Sequence, residues 1–123
     1  MDKKKILAVD DQPENLRLIM EILKEDYTII VATNAEKGLE LAAREPQPEV
    51  VLIDVRMPEM DGFEMAQRLR NEEQTASIPF IFVTAADQEE DFQKGLALGA
   101  DEFISKPISP VLLKHRLLKA LKG

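Results

Sequence analysis

A chain of 123 residues is long enough for one hydrophobic core and too short for two, so a single domain over 1–123 is expected. Hydrophobic residues at 45% and charged residues at 32%, with five Gly and seven Pro, exclude a disordered or fibrous chain. A formal charge of −7 argues against a phosphate-neutralising nucleic-acid surface, and the lack of Cys removes disulfide and thiolate chemistry.

Short apolar runs alternate with amphipathic stretches. The first run, 6–9, reads as a strand, and Pro13 then stands at a first helical position. Leu16, Ile19, Met20 and Leu23 follow at i, i+3, i+4, i+7, which predicts one buried stripe. A second strand is expected at 28–31, followed by Thr33 and Glu36 at capping-box spacing before a second helix. The runs at 50–53 and 80–83 show no polar alternation, as expected of strands covered on both faces. Between them Asp61-Gly62 marks a turn, with a third helix from about 63 to 71. Asp87 and Glu90 resemble a cap pair for a fourth helix, and a fifth strand is expected at 102–104. Ser109-Pro110 opens the last helix, whose Leu113, Leu117, Ala120 and Leu121 form a stripe toward the sheet. Val111 and Leu118 point about a quarter turn off it, either against the preceding helix or partly exposed.

Strict β-α alternation with short connections implies right-handed crossovers and a doubly wound α/β fold, a parallel sheet with helices on both faces. In such sheets ligands sit beyond the carboxyl ends of the strands. Asp10-Asp11, Asp54, Thr84 and Lys106 follow or close the first, third, fourth and fifth strands. If the first and third strands are neighbours, ~4.8 Å apart, three carboxylates converge on one small volume. Their mutual repulsion calls for a divalent cation, and a small oxygen-only donor set suits Mg²⁺. Lys106 and Thr84 add a point charge and a hydroxyl donor, so the set fits a phosphoryl group with one carboxylate as nucleophile. Singly each residue has a plainer reading: Asp10 or Asp11 as a cap for the first helix, Thr84 as a strand residue, Lys106 as a surface charge.

The chain carries Asp10-Asp11, then the run from Asp54 through Val55, Arg56, Met57, Pro58, Glu59, Met60 and Asp61 to Gly62, then Thr84-Ala85, Gly99-Ala100-Asp101 and Lys106-Pro107. In order and spacing it resembles the response-regulator receiver domains of two-component signalling, over essentially its whole length. The resemblance implies a CheY-like, flavodoxin-like sheet of five strands in the order 2-1-3-4-5 with five helices. It implies Asp54 as phosphoacceptor, with Thr84 and Lys106 contacting the bound phosphate. It also implies Mg²⁺ ligated by Asp11, Asp54 and the backbone carbonyl of Arg56, with Asp10 assisting through water. A cis bond before Pro107 is expected, with Phe103 at the aromatic switch position and Arg56 and Ala86 at positions that tune phosphate lifetime. The implied partners are a sensor histidine kinase or phosphotransfer protein and a downstream effector or output domain. Self-association through the last helix and fifth strand is a further expectation, with Val111 and Leu118 bordering the surface made by the fourth helix, fifth strand and fifth helix.

The resemblance implies a switch that catalyses only its own phosphorylation and dephosphorylation. Three other readings compete. A flavodoxin-like cofactor protein needs a phosphate-cradling loop after the first strand, where the two charges of Asp10-Asp11 would repel a phosphate. A haloacid-dehalogenase-like hydrolase needs a second acid two places beyond its nucleophile, where Arg56 stands. A degenerate receiver acting only as a docking module needs none of the pocket residues, and all five are present. No apolar run approaches the ~20 residues of a membrane span, and the four apolar residues after Lys5 are too few for a signal-peptide core, so membrane insertion is not expected and a cytoplasmic location is.

Overall fold

Each apolar run forms a strand, extended by a residue or two where the flanking backbone still pairs. The computed structural model describes residues 3–85 and 89–122. Strands β1 (Lys4–Val9), β2 (Tyr27–Ala32), β3 (Val50–Ile53), β4 (Phe80–Thr84) and β5 (Glu102–Ser105) alternate with helices α1 (Pro13–Leu23), α2 (Ala35–Ala43), α3 (Gly62–Asn71), α4 (Glu89–Ala97) and α5 (Pro110–Lys122). All strand pairings are parallel, in the order β2-β1-β3-β4-β5. The resemblance implied that order.

Alternation of side chains along the strands divides the core into two layers. Leu7, Val9, Val51, Ile53, Phe80 and Phe82 face α2 and α3. Ile6, Ala8, Val50, Leu52, Ile81 and Val83 face α1 and α5. The central strands β3 and β4 are buried at every position, as their unbroken apolar runs predicted. Truncating any of the Leu, Ile or Phe side chains among them to Ala would cost ~2–5 kcal/mol through lost burial and the cavity left behind.

Local signals set the helix ends, with two corrections to the sequence reading. Asp61 caps α3 by accepting from the Glu64 N–H at 2.9 Å, and the Ser109 hydroxyl accepts from the Leu112 N–H at 3.3 Å. The cap of α2 is Asn34 rather than Thr33: its side chain accepts from the Lys37 N–H at 2.8 Å. An Asx side chain one residue later reaches the same orphan donors, so α2 starts at Ala35. Met20 is 38% exposed, whereas Leu16, Ile19 and Leu23 are buried. The stripe of α1 is thus narrower than the spacing suggested. The Asp87 cap and Ala86 lie outside the described residues.

Arg70 ties the far end of the sheet together. Its guanidinium lies 4.3 Å over the Phe80 ring and donates to the carbonyls of Ala76, Ile78 and Gly99 at 2.9, 2.8 and 3.1 Å. These bonds join the α3–β4 and α4–β5 connections.

Candidate functional site

The register Val9↔Ile53 places the residues that follow them side by side. Asp10 and Asp54 leave the sheet together, with the Asp54 N–H donating to the Val9 carbonyl at 2.9 Å. One carboxylate oxygen from each of Asp10, Asp11 and Asp54 lies within 4.8 Å of the others. Asp10 and Asp54 are 2% and 5% exposed, so little bulk water reaches two of the three charges.

The opposite wall comes from β4 and β5. Thr84 closes β4, and Lys106 follows β5, held by its N–H donating to the Thr84 carbonyl at 2.9 Å. The Lys106–Pro107 peptide is cis, as the resemblance implied. Lys106 Nζ lies 2.7 Å from Asp10 Oδ2 and 3.5 Å from Asp54 Oδ2. Asp10 also accepts from the Gln12 N–H at 2.9 Å, so its two oxygens serve different partners.

Burial pushes the Asp54 carboxyl above its ordinary range, and the neighbouring Asp10 charge adds to the rise. The Thr84 hydroxyl, the Lys106 ammonium and the Arg56 N–H oppose the shift. Burial is the largest influence, so a bare Asp54 carboxylate is held at a cost. Three carboxylates against one ammonium leave an unbalanced double negative charge in a small oxygen-lined space. That donor set fits a hard divalent ion with an incomplete protein shell, which is the habit of Mg²⁺.

All five residues singled out at strand ends (Asp10, Asp11, Asp54, Thr84 and Lys106) therefore meet in one place. The Arg56 backbone is there too, through its N–H on Asp54, while its exposed guanidinium pairs with Asp91 at the start of α4 at 3.2 Å. In the sequence Gly62 marks a turn and closes the motif run that begins at Asp54, and neither gives a reason for glycine there. In the structure a Cβ there would sit 2.2 Å from the Asp54 carbonyl oxygen and 2.9 Å from Val55 Cα, so only Gly lets α3 start against the loop that carries Asp54. Glu59, at φ 69°, is a second special position in that loop, with nothing in its residue type to announce it.

Phe103 is buried, tilted against Phe82 with ring centroids 5.7 Å apart and stacked at 4.4 Å on the partly exposed Phe92 of α4. The absence of a side chain at Gly95 permits this packing, because a Cβ there would approach both Phe82 and Phe103 to 3.1–3.2 Å. On α5, Leu113, Leu117 and Ala120 face the sheet, as expected. Val111 and Leu118 are 77% and 50% exposed, and helical phase turns them away from β5. Arg116 and Lys119 face that side, pairing with Glu102 of β5 at 2.9 and 3.3 Å. At 100° per residue Leu112 shares their flank, whereas Val111 and Leu118 lie on the opposite one. The expectation for these two residues is corrected accordingly.

A family description of the response regulator receiver domain matches residues 6–118. The response regulator PleD of Caulobacter vibrioides is 39% identical over 114 residues, covering 92% of this chain and 25% of PleD. The structure of the chemotaxis protein CheY4 of Vibrio cholerae superposes with a TM-score of 0.89 at 30% identity, covering 97% of this chain and 99% of that one. A receiver domain of the sensor histidine kinase PA1611 of Pseudomonas aeruginosa, with magnesium in its active-site cleft, has the same fold at a TM-score of 0.89 and 24% identity, covering 98% of this chain and 99% of its own. The chain spans about a quarter of the length of PleD and about half that of the transcriptional regulator PhoP of Bacillus subtilis. Among the described residues no helix is long and apolar enough to cross a membrane. With its strand order, its acidic pocket and a match over most of its length in agreement, the chain belongs to the response regulator receiver family.

Proposed function

We propose that this receiver, read as one domain over 1–123, works as a switch set by phosphorylation of Asp54, and the observation that carries the reading is the convergence of Asp10, Asp11 and Asp54 with Lys106. An Asp54 carboxylate oxygen attacks phosphorus, the bond from phosphorus to the donor's nitrogen or oxygen breaks, and its electron pair leaves with the donor. Lys106 neutralises charge on the phosphoryl oxygens, the Thr84 hydroxyl turns from Asp54 to a phosphoryl oxygen, and the Arg56 N–H keeps the acceptor oriented. Asp10, Asp11, Asp54 and the Arg56 carbonyl are the groups that would hold Mg²⁺, which when bound screens the negative charge of the transferring group. The CheY-like fold can hold that ion, as the PA1611 receiver does.

The proposed donors are a sensor histidine kinase, a phosphotransfer protein or a small acyl phosphate, and no turnover beyond the chain's own phosphorylation and dephosphorylation is assigned to it. Output is assigned to α4, β5 and α5, where Phe92 and Leu96 of α4 and Leu112 of α5 are exposed. Phe103 underlies that face and Thr84 borders the phosphate, so a downstream effector, an output domain or a second copy of the chain could read the change there. A cytoplasmic setting suits these partners. The test is intact mass after incubation with Mg²⁺ and acetyl phosphate: wild type gains one acid-stable, base-labile phosphoryl group and Asp54→Ala gains none. Retention of the added mass in Asp54→Ala refutes the assignment.

A further inference from the structure

The flank of α5 turned away from β5 carries Lys114, Leu118, Leu121 and Lys122, a Lys-Leu-Leu-Lys stripe at helical spacing. It faces Tyr27, the first residue of β2, and Lys3 and Lys4 at the start of β1 across a groove of about 580 Å³. The floor is apolar: Leu118 is half exposed there, beside Leu121 and the Tyr27 ring. Four lysines rim it against a single acid, Asp26, in a chain whose net charge is −7. Among the described residues none of these four lysines is in an ion pair, whereas Arg116 and Lys119 on the other flank both pair with Glu102.

We propose that this groove docks a short acidic segment of a partner protein, seating an apolar side chain on Leu118 and Tyr27 while its carboxylates meet the lysine rim. Charge complementarity selects the occupant. A nucleic acid needs an extended basic track, and beyond the ~8 Å reach of local charges it would meet a net acidic protein. An anionic bilayer meets the same repulsion, and a concave floor with one half-exposed leucine offers it no protruding anchor. A short acidic peptide stays within the groove's own field.

The groove lies at the amino ends of the strands and Asp54 at their carboxyl ends, roughly 20 Å away along a six-residue strand. Docking is therefore independent of the phosphorylation state, which separates this inference from the reading of Asp54. Tyr27 is the only tyrosine and the chain has no tryptophan, so intrinsic fluorescence reports on the groove directly.

The experiment titrates the protein with a blocked, aromatic-free peptide of leucine pairs flanked by glutamate pairs. A saturable change in Tyr27 emission is expected, equal with and without beryllofluoride and retained in Asp54→Ala. The paired variant Lys114→Glu with Lys122→Glu should weaken it about tenfold or more, and Leu118→Ser about threefold or more. Circular dichroism confirms that these surface variants fold. No saturable change up to about millimolar peptide, equal binding of a leucine-free glutamate peptide, or indifference to charge reversal overturns the proposal. So does a stronger response to phosphatidylglycerol vesicles or oligothymidylate than to the peptide.

Discussion

Lys106→Met removes the only ammonium that touches the acidic pocket among the described residues while keeping much of the side chain's volume. Asp10 and Asp54 are both nearly inaccessible to water and share Nζ at 2.7 and 3.5 Å. Deleting one partner of a buried pair typically costs ~3–5 kcal/mol, because the charge left behind is neither hydrated nor paired. At ~4 °C per kcal/mol for a domain of this size, metal-free Lys106→Met should melt roughly 12 °C or more below wild type. Magnesium should then act unequally on the two proteins. In wild type Lys106 repels any cation the carboxylates bind, a term of ~4 kcal/mol per unit charge at 4 Å in an effective dielectric of about 20. Losing even a third of it tightens Mg²⁺ about tenfold, which adds ~1.4 kcal/mol, or ~5 °C, to the variant's metal-induced gain at saturating ion. Phosphorylation by acetyl phosphate should nevertheless fall about a hundredfold or more, since a transition-state charge loses its partner. Thermal melts in EDTA and in saturating Mg²⁺, with intact mass for the phosphoryl group, give all three numbers. A variant that melts like wild type without metal, or gains no more than wild type from Mg²⁺, would show that the pair is not compensating the pocket's charge.

Two further perturbations test the same pocket. Because burial raises the Asp54 carboxyl above its ordinary 3.8, its contribution to stability is fully present below that pH and is lost as pH rises through the folded-state value. Metal-free Asp54→Asn should therefore be more stable than wild type at neutral pH, with the gap closing toward pH 3.8, and denaturant melts from acid to neutral pH that show a constant gap contradict this. Gly62→Ala forces a Cβ to within 2.2 Å of the Asp54 carbonyl oxygen, so it should cost more than ~2 kcal/mol and slow phosphorylation about a hundredfold by moving the nucleophile's loop. Wild-type melting and rates would mean that the loop relaxes freely.

The strands, most helix ends and the strand-end residues could be read from the chain because each rests on a local rule. The stretches 50–53 and 80–83 are unbroken apolar runs of the kind a strand covered on both faces carries. Asp10, Asp54, Thr84 and Lys106 stand where a parallel sheet gathers its ligands. Adjacency of β1 and β3, however, is a long-range pairing that no local pattern encodes, and the order came from resemblance until the register Val9↔Ile53 placed Asp10 beside Asp54. The same limit applies to single side chains. Thr33 and Asn34 both suit a cap, and backbone geometry chose Asn34. Met20 fits the periodic stripe of α1, yet it lies at the edge of the arc the sheet covers and stays exposed. Leu118 was legible as off the buried stripe, but helical phase leaves two flanks, and only the position of Glu102 decides which of them faces β5. Gly62 reads as a turn in sequence because the carbonyl its missing side chain makes room for lies eight residues away, on Asp54, where only the folded loop brings it near.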